Sequence, residues 1–266
     1  MPNQGNIAGG RVVVPEQRRQ LIVDRLRSDG SVTVSALEDE FGISSMTARR
    51  DLQILEREGR ARRTHGGAML PTLSRHEDSF QNRLEHAAAA KERLAAHAPD
   101  LIAEDETVFA DSSTTAFYAV AQLLKAGRRA TVLTNSVPIM DLLARSDGAQ
   151  LELIGLSGSL RRLTSSFVGP LTVSAVEAHF ADKLLFSVLG LSSTGVLTDA
   201  DPLEAEVKRA MISQARAAVL LLDGSKFGRT GLSAIAPLSA VSTALVADGG
   251  EHAASIAEAG VDVTEV

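Results

Sequence analysis

Residues 44–55 read Ser-Ser-Met-Thr-Ala-Arg-Arg-Asp-Leu-Gln-Ile-Leu, and this stretch decides how the N-terminal part of the chain folds. Wound as an α-helix at 100° per residue, it has one apolar face that we expect to be buried, which carries Ala48, Leu52 and Leu55. The opposite face is polar and basic, and carries Met46, Arg50 and Gln53, with Thr47 and Arg49 on its flanks. Because Ser44 suits the N-cap position, we predict a helix that runs from there to about Glu58.

The residues before this helix predict two more helices and a short strand. Pro15 suits a first helical turn, and Asp29-Gly30 supplies a stop. Residues 31–35 alternate polar and apolar side chains, which is typical of a strand. Ser35 is expected to begin the next helix, because Glu38 follows it at the spacing of a capping box.

A tight turn and a basic segment complete the pattern. Gly42-Ile43 separates the second predicted helix from the third, which is helix-turn-helix geometry, and the polar face of such a third helix enters the major groove of DNA. Gly59 ends the third helix, and residues 60–67, Arg-Ala-Arg-Arg-Thr-His-Gly-Gly, predict a β-wing. Its arginines would neutralise phosphates, and its glycines would let the backbone approach DNA closely. Two surface arginines by themselves usually indicate only a solvent-exposed face. A helix cap, a turn, a polar helix and a basic wing in this order favour DNA binding.

The charge of the chain is unevenly distributed. The 266 residues carry a net charge of −6, which argues weakly against a nucleic-acid partner. Residues 1–70, however, hold 11 Arg and no Lys against 9 Asp and Glu, a net charge of +2, and the remainder carries −8. Such asymmetry is a recognised indication of nucleic-acid contact.

The run from Ser44 to Leu52, followed by Leu55-Glu56, Gly59, Arg63 and His65-Gly66-Gly67-Ala68, closely resembles the winged helix-turn-helix of the DeoR family of bacterial regulators. The resemblance implies DNA contact by Ser44, Ser45, Thr47, Arg49, Arg50, Gln53, Arg62, Arg63, His65 and Gly66. Of these, Ser45, Thr47, Arg49 and Arg50 would reach base edges, and the wing would contact the DNA backbone. Ala48 stands where the family usually has Ile or Val, which removes core volume but leaves the DNA face unchanged. Asp51 is expected to form an internal salt bridge, because a carboxylate near phosphate is repulsive.

Residues 71–104 form a predicted connector. From Arg75 to Ile102 the composition is rich in Ala, Glu, Arg and His and favours a helix, in which Leu84, Ala88 and Lys91 recur at helical spacing. A linker helix and part of a dimer interface remain equally open. Its three histidines, which lack the i, i+4 spacing of a helical zinc site, are interpreted as surface residues: His76, His86 and His97.

Residues 105–266 alternate apolar, partly β-branched runs with helical patterns, which predicts a mainly parallel sheet covered by helices on both faces. The strands are expected at Thr107–Ala110, Ala130–Leu133, Leu151–Ile154, Leu184–Leu189, Ala217–Leu222 and Ala244–Ala247. The intervening helices are expected at Thr115–Ala126, Val137–Arg145, Leu171–His179 and Leu203–Ala215. The fold class is therefore α/β, behind an N-terminal winged helix-turn-helix over residues 11–70.

Polar residues collect where three of these strands end, at Asp111–Thr115, Thr134–Ser136 and Asp223–Lys226. Ligands of parallel α/β sheets bind at this edge. Hydroxyl side chains and free N–H groups at a helix N-terminus suit phosphate. One such loop is more simply explained by helix capping, but three on one edge favour a polar small-molecule pocket.

These loops, together with Gly155–Gly158, Gly169, Asp182, Gly190 and Lys208, also resemble the DeoR family's effector domain, and the resemblance covers residues 12–250. It implies a sensor domain with the fold of ribose-5-phosphate isomerase-like enzymes that binds a phosphorylated sugar. The implied effector residues are Asp111, Ser112, Ser113, Thr114, Thr115, Thr134, Asn135, Ser136, Lys208, Asp223 and Lys226. Lys208 also fits a plain surface salt bridge. Ser157-Gly158 stands where the family often has Gly-Gly, which leaves the identity of the effector open.

Two functions follow from these features. The first is a DNA-binding regulator, a repressor of a carbohydrate-catabolic operon that binds double-stranded operator DNA and a sugar phosphate as a dimer or tetramer. The second is a sugar-phosphate isomerase in which Asp111, Asp182, Asp223 and Lys226 transfer protons, although nothing in the sequence places one of them at a reacting carbon. We expect the regulator and no enzyme activity.

No cofactor, metal or membrane partner is expected. Cysteine is absent, which excludes disulfides, thiol catalysis and cysteine-ligated metal. The first residues lack the apolar run of a signal peptide, and the longest apolar runs are far too short to span a bilayer. The expected location is the cytoplasm.

Overall fold

The computed structural model describes residues 14–29, 31–58, 60–64, 66–69, 78–146 and 150–266. The chain divides into two compact units, residues 1–75 and 76–266. The N-terminal unit has its own hydrophobic core, built around Ile22, Leu37 and Leu52. The C-terminal unit has two apolar clusters, one centred on Phe186 and the other on Val132.

The N-terminal unit is a winged helix-turn-helix, as the sequence predicts. Its elements are α1 (Pro15–Asp29), β1 (Ser31–Thr33), α2 (Val34–Phe41), α3 (Ser45–Arg57), β2 (Arg62–Thr64) and β3 (Gly67–Met69). The three strands form an antiparallel sheet in the order β1-β3-β2. Ala48, Leu52 and Leu55 of α3 are fully buried, so the predicted apolar face is confirmed.

The start of α2 differs from the sequence prediction. Thr33, and not Ser35, is the N-cap, since its Oγ1 accepts a hydrogen bond from the Ala36 N–H at 3.1 Å. Val34 is therefore the first helical residue and not part of a strand. The cap lies there because Thr33 ends β1 in an extended conformation opposite Gly67 of β3, so the pairing of the wing fixes where the helix can begin.

The C-terminal unit contains a seven-stranded parallel sheet in the order β15-β14-β12-β9-β4-β5-β6, which confirms the predicted α/β architecture. Its strands are β4 (Glu106–Ala110), β5 (Ala130–Thr134), β6 (Leu151–Gly155), β9 (Ala181–Phe186), β12 (Ala215–Asp223), β14 (Thr243–Ala247) and β15 (Asp262–Glu265). Successive residues of a central strand enter different apolar clusters, as Leu184 and Leu185 do, so both faces of the sheet are covered.

Helices pack against both faces of this sheet. They are α7 (Thr114–Lys125), α8 (Val137–Ala144), α9 (Pro170–Glu177), α10 (Pro202–Gln214) and α11 (Glu251–Glu258). Two smaller sheets were not predicted: the hairpin β7 (Ser159–Arg161) and β8 (Ser166–Val168), and the antiparallel sheet of β10 (Gly190–Leu191), β11 (Val196–Asp199) and β13 (Ser233–Pro237). These strands are too short for an alternation of polar and apolar side chains to be recognised in the sequence. Some of them also pair with strands that lie far away along the chain.

The predicted connector helix is three short helices in the structure: α4 (Phe80–Glu85), α5 (Ala88–Ala96) and α6 (Ala98–Leu101). They belong to the C-terminal unit, where Ala90 and Leu94 enter its core beside α7. The break between α4 and α5 lies at Ala87, whose backbone has a positive φ of 52°. Among the described residues, no helix is long and apolar enough to cross a membrane, and no cluster of three potential metal ligands occurs.

Candidate functional site

A buried ion pair joins the recognition helix α3 to α1. Asp51 Oδ2 accepts a hydrogen bond from Arg18 Nε of α1 at 2.7 Å, and Arg19 Nη1 lies 3.5 Å from its other oxygen. Both Asp51 and Arg18 are buried. The predicted role of Asp51 as an internal salt-bridge partner is therefore observed, and it orients α3 relative to α1.

The outer face of α3 is free to contact a ligand. Arg49, Arg50 and Gln53 are exposed, and neither arginine pairs with a carboxylate among the described residues. Met46 is 80% exposed at the centre of the same face, where an apolar side chain can meet a thymine methyl group. Ser44 caps the helix through the Thr47 N–H at 3.3 Å, and its hydroxyl lies 3.0 Å from that of Thr47. Ser45 is half-buried.

The wing is joined to the recognition helix by a backbone contact. The Arg63 N–H donates to Glu56 Oε1 of α3 at 3.0 Å, while the Arg63 side chain is exposed. Gly66 is exposed at the turn and accepts from the Val34 N–H at 2.9 Å. The Arg62 backbone lies in β2; its side chain, and the whole of Gly59 and His65, lie outside the described residues.

Gly67 serves packing within the N-terminal unit. A Cβ atom at this position would lie 1.9 Å from the carbonyl oxygen of Val32, so only glycine lets β3 approach β1 this closely. The sequence interpretation assigned the glycines of the wing to close approach of DNA. For Gly67 the close approach is to the protein's own backbone.

The C-terminal unit has a cavity of about 150 Å³ at the carboxyl edge of the parallel sheet. Three strand-end loops reach it: the loop after β4, the loop after β9 and the 3₁₀ turn Gly224–Lys226 after β12. The helices α4 and α5 close another side. The charged residues that line it, together with His86, are Asp78, Arg83, Lys91, Asp199, Lys208, Lys226 and Arg229.

A buried ion pair forms the floor of this cavity. Lys208 Nζ of α10 donates to Asp111 Oδ2 and to the Ser187 carbonyl, each at 2.6 Å, and lies 3.3 Å from Asp199 Oδ2. Burial by itself lowers the pKa of the Lys208 ammonium, but Asp111 and Asp199 outweigh that effect and raise this pKa above its ordinary value. Lys208 is therefore a permanent cation, and the alternative of a surface salt bridge is wrong because the residue is buried.

One helical turn earlier, Glu204 joins three segments in a buried network. Its carboxylate accepts hydrogen bonds from Ser112 at 2.9 Å, Thr164 at 2.7 Å and Ser166 at 2.6 Å. Adjacent loop residues Asp111 and Ser112 thus bind residues four apart on α10. Nothing in the sequence distinguishes Glu204, because a carboxylate that will be buried on an amphipathic helix has the same local pattern as an exposed one.

The structure brings together only some of the predicted effector residues. Ser113, Thr114, Thr115, Lys208 and Lys226 line the cavity. Asp111, Ser112 and Asp223 are buried next to it, where Asp111 and Asp223 cap the following turns through Ser113 and Ser225. The Thr134–Ser136 loop is not part of the lining. It lies against the hairpin, since Asn135 Nδ2 donates to the Phe167 carbonyl at 2.8 Å and Ser136 bridges to Ser166.

Sequence reasoning missed the cavity residues that come from α4 and α5. Arg83 and Lys91 line the cavity, and Lys91 is only 2% exposed. The sequence does contain an indication. Lys91 recurs at helical spacing with Leu84 and Ala88, and a lysine on an apolar helix face needs a partner for its charge. What the sequence could not supply was the side of the sheet on which these helices pack.

The pKa values of two lysines in the cavity are lowered, mainly by burial and further by neighbouring positive charge. Burial, and after it the charge of Lys226, lowers the pKa of Lys91 to about 8. Burial is also the largest cause of the lowered pKa of Lys226, assisted by Arg229, Arg83 and Lys208 against the opposing effect of Asp223. A cavity with this charge favours loss of a proton or gain of an anion.

This charge predicts how stability depends on pH. The pKa of Lys91 is about 8 in the folded chain and near 10.4 in an unfolded one, so between these values the unfolded state binds more protons and stability rises with pH. The contribution is at most about 3 kcal/mol. We expect urea unfolding of the ligand-free protein, followed by Tyr118 fluorescence, to show this rise between pH 8 and pH 10. The rise should be smaller in Lys91→Met; an unchanged pH slope in that variant contradicts the assignment.

A winged helix-turn-helix with a basic outer face, followed by an α/β unit with a cationic cavity at its ligand edge, defines a two-unit DNA-binding regulator with a sensor unit. Residues 18–73 match the family model for the DeoR-like helix-turn-helix domain, and residues 86–249 match that for the DeoR C-terminal sensor domain. The chain belongs to the DeoR family.

Similar proteins cover nearly the whole chain. An L-fucose operon activator of Escherichia coli K12 is 33% identical over 91% of this chain and 98% of its own length. The HTH-type transcriptional repressor GlcR of Bacillus subtilis is 34% identical over 85% of this chain and 86% of its own length. A putative aga operon transcriptional repressor of Escherichia coli O157:H7 is 31% identical over 95% of this chain and 94% of its own length. Among solved structures, ribose 5-phosphate isomerase A from Methanocaldococcus jannaschii matches with 13% identity and a TM-score of 0.38 over 53% of this chain and 54% of that one.

Proposed function

We propose that this protein is a transcriptional repressor of a carbohydrate-catabolic operon and that a phosphorylated sugar bound in the C-terminal cavity controls it. The observation that carries the proposal is the cavity itself: buried cations and a helix N-terminus converge on one edge of the sheet, in a chain that also carries an exposed recognition helix. The names of similar proteins support it, since GlcR and the aga protein are called repressors of transcription.

The chemistry of the cavity suits a phosphate group better than a neutral sugar. Ser113 is the N-cap of α7, and Thr114 and Thr115, the first two residues of this 12-residue helix, line the cavity. Unbonded N–H groups and the helix dipole attract an anion there. Lys226 adds a charge that Asp223, 4.0 Å away, neutralises only in part.

Binding alone suffices for this function, and we propose no catalysis in the cavity. An isomerase needs a base whose proton affinity matches neutral pH. Asp111 is engaged by Lys208 and by the Ser113 N–H, and the raised pKa of Lys208 keeps that lysine protonated. We expect no turnover of pentose or amino-sugar phosphates by the purified protein; turnover that Asp111→Asn abolishes would contradict this.

We further propose that the protein acts in the cytoplasm as a dimer or tetramer on operator DNA. One recognition helix reads a single half-site, and two helices about 34–36 Å apart read successive turns of the major groove. A ligand that binds the two conformations of such an oligomer with different affinities shifts the balance between them.

An electrophoretic shift experiment tests the proposed function directly. The promoter upstream of the protein's own operon should be retarded specifically, and one phosphorylated sugar from a panel should release it, whereas the same sugar without phosphate should not. Retardation of no neighbouring promoter contradicts the DNA-binding part. Specific retardation that no sugar phosphate changes contradicts the effector part.

Two arginines of the N-terminal unit should differ in what they contribute to DNA binding. Arg50→Ala removes a groove-facing side chain and should cost about 1–3 kcal/mol, with relaxed specificity at one base pair. Arg63→Ala removes an exposed wing charge and should weaken binding to all sequences alike, with a salt slope smaller by about 1. Binding titrations at several salt concentrations on specific and random DNA separate the two; equal losses with equal salt slopes contradict the assignment.

A further inference from the structure

Arg83 enters the cavity with an unsatisfied guanidinium. Its Nε and Nη2 atoms are buried and have no hydrogen-bond partner within the described part of the chain. A buried charged group without partners is costly, and folded proteins rarely keep one unless something else supplies the partner. Since Arg83 lines the cavity, an anion bound there would supply the missing partner.

Lys91 lies beside Arg83 and also has unused binding capacity. Its ammonium donates to the Arg83 and His86 carbonyls, the second at 2.5 Å, and neither acceptor carries a charge. A lysine has three donor hydrogens, so one remains for a ligand. By contrast, Lys208 contacts two aspartates and Lys226 lies 4.0 Å from Asp223, so among these four cations Arg83 and Lys91 are the less compensated.

The backbone around Arg83 is held in place by the helix whose N-terminus faces the cavity. The Arg83 carbonyl accepts from Thr114 Oγ1 of α7 at 3.4 Å, and the Leu84 carbonyl accepts from the Tyr118 hydroxyl at 3.2 Å. The Phe80 ring packs edge-on against that of Phe117 at 5.8 Å. The guanidinium is thus presented from a fixed support, as a preorganised ligand-binding group needs.

We propose that Arg83 and Lys91 form the anion clamp of the C-terminal cavity and that they hold a phosphoryl group with two negative charges. This inference rests on the proposed function, because it names the residues that bind the phosphorylated ligand. The guanidinium offers a planar pair of donors, the ammonium a point charge, and α7 its N-terminal N–H groups. Such a set of donors from several directions fits a tetrahedral dianion better than a planar, singly charged carboxylate.

The clamp also ties ligand binding to the start of the sensor unit. Among the described residues, helices α4 and α5, which carry Arg83 and Lys91, are the first helices of the C-terminal unit. An anion bound by both residues adds contacts to both helices. Amide hydrogen exchange over residues 80–96 should therefore slow when the cavity is occupied.

The test uses the full chain and inorganic phosphate as the probe, observed by ³¹P line broadening. Wild-type protein should bind phosphate, and Arg83→Met should bind it at least tenfold more weakly. Arg93→Met is the matched control: it also removes one arginine from these helices, but Arg93 is exposed and pairs with Asp248. Its phosphate affinity should equal that of the wild type. Tyr118 fluorescence establishes that each variant is folded under the conditions of the titration.

Lys91→Met and Arg83→Lys give readouts that a purely structural role would not change. Bound phosphate should raise the pKa of Lys91, so wild-type protein should take up protons on binding near pH 8.5, and Lys91→Met should take up fewer. Arg83→Lys should recover part of the affinity that Arg83→Met loses. Equal phosphate affinity in wild type and Arg83→Met, or no binding by the wild type, overturns the clamp. Release of promoter DNA by a sugar phosphate is a separate measurement and can succeed when the clamp fails.

Discussion

Replacing Lys208 with methionine should lower the free energy of unfolding of the C-terminal unit by about 3–5 kcal/mol. The substitution leaves the Asp111 carboxylate, which is 1% exposed, without the ammonium 2.6 Å away, and it removes the same cation from Asp199. A buried charge that has lost its partner costs far more than the pair contributed. Urea unfolding followed by Tyr118 fluorescence measures the loss, because the chain contains one tyrosine and no tryptophan.

The double variant Asp111→Asn/Lys208→Met separates this effect from a simple loss of packing. An amide keeps the oxygen that accepts from the Ser113 N–H but carries no charge, so the double variant should be more stable than Lys208→Met alone. Glu206→Gln, an exposed change on the same helix, should stay within about 0.5 kcal/mol of the wild type. Equal destabilisation in the single and double variants contradicts the ion-pair explanation.

Replacing Asp51 with alanine should strongly destabilise the N-terminal unit and weaken DNA binding. Asp51 is 3% exposed and contacts both Arg18 and Arg19, so its loss leaves a buried guanidinium without this carboxylate at a cost of about 3–5 kcal/mol. That is a large part of the total stability of a small domain, about 5–15 kcal/mol. Circular dichroism should report a helical transition at lower urea, while the Tyr118 transition, which belongs to the C-terminal unit, stays in place.

Arg50→Ala is the control for Asp51→Ala. Both substitutions lie on α3 and both should weaken DNA binding, but Arg50 is exposed, so its removal should leave the unfolding transition unchanged. An Asp51→Ala protein that unfolds like the wild type and still loses DNA binding would place Asp51 at the DNA surface and refute its role within the fold.

The recognition helix was predictable because its determinants are local. The cap Ser44 lies within one turn of the Thr47 N–H that it binds, and the buried face of α3 follows from residue spacing alone. The start of α2 was not predictable in this way. Thr33 and Ser35 are both good caps two residues apart, and the choice between them depends on where β1 stops pairing with β3, more than 30 residues later.

The candidate cavity was predictable in part, because some of its determinants are also local. Strand ends and the helix N-termini after them are visible as local patterns, so Asp111–Thr115 and Asp223–Lys226 were found. The Thr134–Ser136 loop has the same pattern but another environment. The Asn135 carbonyl accepts from the Phe167 N–H at 2.8 Å, so this loop packs against the hairpin 30 residues downstream.

Most of the helices and strands, the polar outer face of α3 and the edge of the sheet where polar loops collect followed from the sequence, because each depends on residues within a few positions of one another. Only the tertiary structure decided which side chains meet in the cavity. Lys208 reaches Asp111 across 97 positions, and Arg83 faces the cavity because α4 packs on α7. Because these groups are enclosed by the fold, Lys208 and Asp111 form a buried ion pair and Arg83 contributes to the proposed anion site. Which groups are enclosed depends on the packing of the whole unit.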